Sequence, residues 1–175
     1  MRRWREIAVL AIALVIVLAD QASKVWVRRS LVLGVPFDPL PALKPILSFT
    51  YVTNSGAVFG MFPQMSWLFA LAAIAVIIFI MATYRSYVDQ GTLLPISLGL
   101  QLGGTAGNLV DRLLRSGRVT DFIDLNFWPL QEWPVFNIAD SSMVVGVVLL
   151  AIFVLFQAEE PTALHDTEAS EPPAA

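Results

Sequence analysis

Apolar residues gather along this chain into four long runs, each close to the roughly 20 residues that a helix needs to cross the hydrocarbon core of a bilayer. Ile7 to Val27 is interrupted by charge only near its end, at Asp20 and Lys24, and Ser66 to Tyr84 carries no charge at all. Thr92 to Leu114 and Ile138 to Gln157 complete the set. The pattern predicts an all-α membrane protein: a four-transmembrane-helix bundle with spans at about 7–27, 66–84, 92–114 and 138–157, in one membrane domain over residues 1–157. The opening "MRRWRE" and the apolar run up to "LADQA" also imitate a cleaved secretory signal. The apolar character resumes through "VWV", however, so a retained helix is the simpler reading.

The connectors are unequal. Arg28 to Met65 holds Pro36, Pro39, Pro41, Pro45 and Pro63 and is too long to be a plain link. Its segment "ILSFTYVTNSGAVFGMF" is rich in strand formers and broken by "NSG" and Gly60, which predicts short strands joined by a turn. A small extracytoplasmic β-cradle over about 35–62, lying on the bilayer surface, is expected. Arg85 to Gly91 is short and makes the second and third spans antiparallel neighbours, whereas Arg115 to Phe136 reads as another substantial loop. Four spans alternate sides, so the two long connectors share one face of the membrane.

Composition sharpens this picture. Of 175 residues, 57% are hydrophobic and 14% charged, against about 25% charged in ordinary soluble domains. There is no cysteine, and the single histidine, His165, lies in the tail. Thiolate chemistry, Ser-His-Asp and Cys-His catalysis and histidine metal sites are therefore excluded. Any catalysis falls to carboxylates, amides, hydroxyls or amines. The net charge of −3 comes largely from Glu159, Glu160, Asp166, Glu168 and Glu171, in a stretch 158–175 that reads as a disordered acidic tail. The basic residues are split between the two sides, but Arg2, Arg3 and Arg5 lead the first helix and point to cytoplasmic termini.

Charges inside spans are costly and mark functional suspects. Asp20 and Lys24 stand i, i+4 as a favourable pair, whose plain interpretation is a structural ion pair near the interface with Lys24 snorkelling. Gly99, Gly103 and Gly107 recur every four residues, as in a helix-packing stripe. Asn108, Asp111 and Arg112, at i, i+3 and i+4, form a polar face beside it. Asp121 in "VTDFID" is by itself a solvated loop acid or a helix cap. Asn137 and Asp140 open the fourth span as a cap and its third-position acid, a variant of the capping box. What favours function over capping is convergence, since all four spans deliver polar groups to one interface.

"DQASK" (20–24), "TNSGAVFG" (53–60), "GGTAGNLVDR" (103–112), "VTDFID" (119–124) and "FNIADS" (136–141) resemble, in content and order, the motifs of bacterial lipoprotein signal peptidase, or signal peptidase II. The resemblance covers nearly the whole chain up to the tail. It implies a membrane aspartyl endopeptidase of the bacterial cytoplasmic (inner) membrane that cuts diacylglyceryl-modified prolipoproteins just before the lipobox cysteine. It also implies Asp121 and Asp140 as catalytic residues, with Asp20, Lys24, Asn54, Gly104, Asn108, Arg112 and Asn137 as supporting or substrate-binding residues. Asn54 and the aromatic loop after it would line the substrate site. Membrane lipid is an expected partner and nucleic acid is not; no metal or cofactor is expected, and the chain is expected to act as a monomer. Two other classes stay open on the residues alone: a proton-coupled carrier relaying through Asp20, Asp111 and Asp140, and a magnesium enzyme built on Asp121, Asp124, Asn137 and Asp140.

Overall fold

The computed structural model describes residues 2–56 and 65–157. The expected disordered tail, and the aromatic loop expected after Asn54, lie outside them. Four long helices, α1 (Arg2–Ser30), α2 (Ser66–Tyr87), α3 (Leu93–Leu114) and α4 (Ile138–Gln157), are each long and apolar enough to cross a membrane. The first runs well past the apolar stretch at both ends, because charged residues flanking a span can continue the helix into the interface.

α3 is the centre of the bundle and packs against each of the other three helices. It is also the least apolar span, with a mean hydropathy of 1.2 against 2.0 to 2.5 for the rest. A helix surrounded by protein does not need a lipid-soluble surface, and small or hydrogen-bonding residues can replace bulk apolar ones along its contacts. Its glycine stripe meets α1 in register: a side chain begun at Gly99 would strike Ile12, at Gly103 Ile16, and at Gly107 Asp20. Two four-residue repeats thus mesh side by side in parallel helices. The opposite contact rests on Gly104, where an added Cβ would run into the backbone oxygen of Ala139 and the hydroxyl of Ser142 on α4.

A three-stranded antiparallel sheet sits at one end of this bundle. β2 (Leu47–Asn54) is its middle strand, flanked by β1 (Pro36–Phe37) and β3 (Val119–Leu125). Here the structure corrects the sequence-based expectation. The partners of β2 come from Pro36–Phe37 and from the third connector, and the stretch read as the loop around Asp121 is a strand. Its side chains are mostly buried from Val119 to Phe122, so the polar–apolar alternation that marks a half-exposed strand is missing. An edge-to-face chain of Trp26, Phe49 and Phe122, with centroids 6.0 and 6.1 Å apart, fastens the sheet to the end of α1.

The close approach at Gly103 yields a test. Alanine is the better helix former by about 1 kcal/mol, yet a Cβ here would lie 2.7 Å from that of Ile16 and 2.9 Å from the Ala13 carbonyl oxygen. Gly103→Ala is expected to lower stability in detergent by about 1–3 kcal/mol, as overpacking does. A rise in the unfolding temperature would show that α1 and α3 are not in this register.

Candidate active site

The chain returns from its third connector to bridge β3. The Ile123 amide donates to the Phe136 carbonyl at 2.7 Å, and the Phe136 amide donates back at 3.1 Å. The next residue is Asn137, and α4 begins immediately after it. This bridge sets the start of a membrane helix beside the middle of a strand, and so brings Asp140 toward Asp121.

Asn137 and Asp140 form the expected capping box. The Asp140 amide donates to Asn137 Oδ1 at 2.9 Å, and the Asn137 amide donates to Asp140 Oδ2 at 3.2 Å. The cap and the candidate site are not alternatives, because the other oxygen of Asp140 accepts from Asn108 Nδ2 at 2.7 Å. Asn137 Nδ2 reaches onward to Asp121 Oδ1 at 2.6 Å and to Asn108 Oδ1 at 3.1 Å. The two carboxylates are thus tied into one network by a pair of buried amides.

That network rests on Lys24, whose ammonium is fully buried, contrary to the snorkelling expectation. Lys24 Nζ donates to Asn108 Oδ1 at 2.9 Å and lies 2.9 Å from Asp20 and 3.7 Å from Asp111. Asp20 in turn accepts the Ala139 amide at 3.1 Å, satisfying a second free N–H at the start of α4. The polar face of α3 divides. Asn108 and Arg112 line a cavity, whereas Asp111 turns away to accept the Thr120 amide at 2.8 Å and to pair with Arg28. Arg28 also donates to the Thr120 hydroxyl at 3.0 Å. Asp111, Arg28 and Thr120 therefore hold the strand residue next to Asp121, a bracing role that sequence spacing did not assign. Nothing in the local spacing of Arg28 pointed to a strand residue ninety-two positions beyond it.

The cavity has a volume of about 730 Å³ and is walled largely by apolar side chains. Phe69, Ala72, Ala73 and Val76 of α2 face Met143 and Val144 of α4 across it. Asp121, Asp140, Asn54, Asn108 and Arg112 supply its polar end. Arg112 donates to the Gly56 carbonyl at 3.4 Å and lies over the Phe69 ring. Asp124 is elsewhere. Three residues along a strand place it on the opposite face from Asp121, where it accepts from Thr50 Oγ1 at 2.5 Å. The four-residue magnesium set considered from the sequence is not assembled. The carrier's acids are not strung across the bundle either, because Asp20, Asp111 and Asp140 sit at one end of it with Lys24 beside them.

Burial first, and the charge of Asp140 second, push the Asp121 carboxyl up to about 7, against the hydrogen bonds of Asn137 and Asn54 and the charge of Lys24. A carboxyl raised in the folded state favours folding while it is protonated, and that contribution is lost as the pH climbs from its unfolded value, about 4, through its folded one. Asp121→Asn is therefore expected to match the parent near pH 4 and to become progressively more stable than it toward pH 8, by roughly 1.4 kcal/mol per unit of raised pKa. Thermal unfolding of both proteins across that range checks this, and a constant difference would contradict it.

Known proteins agree with this architecture. A family model described as signal peptidase (SPase) II matches residues 12–156. The chain is similar to the lipoprotein signal peptidase of Moorella thermoacetica, 40% identical over 86% of this chain and 95% of that one. It is also similar to that of Bacillus velezensis, 43% identical over 83% and 92%. A solved bacterial membrane enzyme superposes with a TM-score of 0.76 at 28% identity, covering 95% of this chain and 93% of the other. A matched family model that spans most of the chain, relatives at 40% identity and a shared fold lead to one conclusion: this chain belongs to the signal peptidase II family.

Proposed function

We propose that the chain is a membrane aspartyl endopeptidase that removes the signal peptide from diacylglyceryl-modified prolipoproteins, cutting just before the lipid-bearing cysteine. The observation that carries this reading is the pairing of Asp121 and Asp140 through Asn137 and Asn108 at the polar end of one large apolar cavity. A signal helix needs an apolar berth between spans, and its scissile bond needs two carboxyl groups where that berth meets water. Two neighbouring carboxyls that cannot both ionise supply a base for water and an acid for the carbonyl.

The water oxygen bonds to the scissile carbonyl carbon as its proton passes to the ionised carboxylate, while the protonated carboxyl gives its proton to the carbonyl oxygen. As the resulting diol collapses, one of its hydroxyls returns a proton to the first acid, the carboxyl that took the water proton passes it to the leaving nitrogen, and the C–N bond breaks. Asn108 and Asn137 orient the two carboxyls, and Gly104 allows α3 and α4 to approach closely enough for those amides to reach. Arg112 and Asn54 stand at the cavity wall, where they can meet the substrate backbone. Lys24 and Asp20 brace the first helix against the other two.

The chain is a multi-pass membrane protein. In the proposed setting it lies in the bacterial cytoplasmic membrane with its termini inside, its site near the extracytoplasmic face, and bilayer lipid around the acyl chains of the substrate.

Cleavage of a diacylated prolipoprotein by the purified chain in detergent tests the proposal. Asp121→Asn and Asp140→Asn, each shown to be folded, are expected to lose at least roughly 10²–10⁴-fold in kcat, as removal of a general acid or base does, and EDTA is expected to have no effect. Normal cleavage by either variant would remove that residue from the chemistry.

A further inference from the structure

Two carboxyls that share one proton need not share it evenly. Asp140 stands in the first turn of α4, where the helix dipole favours negative charge. Each of its oxygens accepts an N–H: Oδ1 from Asn108 Nδ2 and Oδ2 from the Asn137 backbone. Neither donor can reverse. A backbone amide has no acceptor at nitrogen, and the Asn108 amide is locked because its Oδ1 faces the ammonium of Lys24, a group with donors only. A proton on Asp140 would turn these charge-assisted bonds into weaker bonds to a neutral carboxyl.

Asp121 is placed differently. It lies on a strand with no helix end behind it and is only 2% exposed, whereas Asp140 is partly open to the cavity. Its Oδ1 accepts one of the two Asn137 Nδ2 protons, the other going to Asn108, and the Asn54 side chain hydrogen-bonds the same carboxyl; neither donor is a backbone amide. The charged groups facing the pair are Lys24 and Asp20 from α1 and Arg112 from α3. Of these, Lys24 alone is wired by hydrogen bonds through Asn108 to Asp140.

Building on the peptidase reading, we propose that the pair's proton resides on Asp121 and its charge on Asp140. Lys24 is the positioning residue that enforces this division by fixing the direction of the Asn108 amide. Asp140 is then the base that takes the water proton, and Asp121 the acid that protonates the scissile carbonyl. The order follows from the hydrogen-bond directions, and it is supported by the burial that raises the Asp121 carboxyl.

Infrared difference spectroscopy of the full chain in detergent, titrated across pH 5 to 8, reads the proton directly through the C=O stretch of a buried protonated carboxyl. The band is expected to vanish in Asp121→Asn and to persist in Asp140→Asn, since burial outranks the charge of Asp140 in holding that proton. Any other pattern overturns the assignment, whether loss only in Asp140→Asn, loss in both, retention in both, or no band in the parent. Cleavage by the parent chain in the same preparation decides the peptidase reading separately. For Lys24, the charge-balanced Asp20→Asn/Lys24→Met variant keeps the buried site free of an orphan carboxylate at position 20. If it folds, the acid limb of its kcat/KM profile is expected to move up by at least one pH unit with kcat about tenfold lower and KM little changed. If it does not fold, Asn108→Ala, which cuts the same connection, is expected to give the same shift. An unmoved acid limb in the variant that folds overturns the role given to Lys24.

Discussion

A lysine ammonium sealed inside a membrane bundle must find acceptors on every side, because neither water nor lipid supplies them there. Lys24 finds Asp20 one turn back on its own helix, Asn108 and Asp111 on α3, and no solvent. Much of the site follows from that requirement. Asp20, held by Lys24, is free to cap α4. Asn108, with its oxygen committed to Lys24, can offer only its NH₂ to Asp140. Asp111, within reach of the same charge, carries the constraint to Thr120 and the strand that bears Asp121. One buried cation therefore bears on both carboxyls from two directions.

The bundle is built to make this arrangement possible. Glycines at four-residue spacing let α1 and α3 lie nearly backbone to backbone, so that a side chain as long as lysine can cross between them without reaching lipid. Gly104 does the same for α3 and α4. The apolar side of the site is formed differently: α2 and α4 both pack on α3 but make little contact with each other, and the groove left between them is the cavity. Polar convergence at one end and an apolar groove along the bundle belong to the same geometry, which suits a helix whose cut bond lies where it leaves the membrane.

The four helices were legible because a bilayer imposes a length and a polarity that few other structures satisfy. The capping box at Asn137 and Asp140 was legible too, as was the glycine stripe. Other features were hidden for physical reasons. Asp121 looked like a loop acid because its strand is buried at one end and carries no regular alternation. Asn108, Asp111 and Arg112 looked like a single polar face because helical spacing gives direction only to within a fraction of a turn, and two neighbouring elements divide that fraction between them. The burial of Lys24 depended on partners eighty-four residues away, which no local pattern reports. The motif resemblance pointed to the same aspartates without saying how they are held.

The central claim is that Asp121 and Asp140 act together on one tetrahedral carbon. A lipopeptide in which the scissile amide is replaced by a hydroxyl-bearing tetrahedral centre tests it most directly. It is expected to bind at least roughly 10²-fold tighter than the same peptide with a simple methylene there, as mimics of a transition state do, and a crystal structure of the complex is expected to place the hydroxyl within hydrogen-bonding distance of both carboxyls. Equal binding of the two peptides, or a hydroxyl resting on only one aspartate, would contradict the paired mechanism.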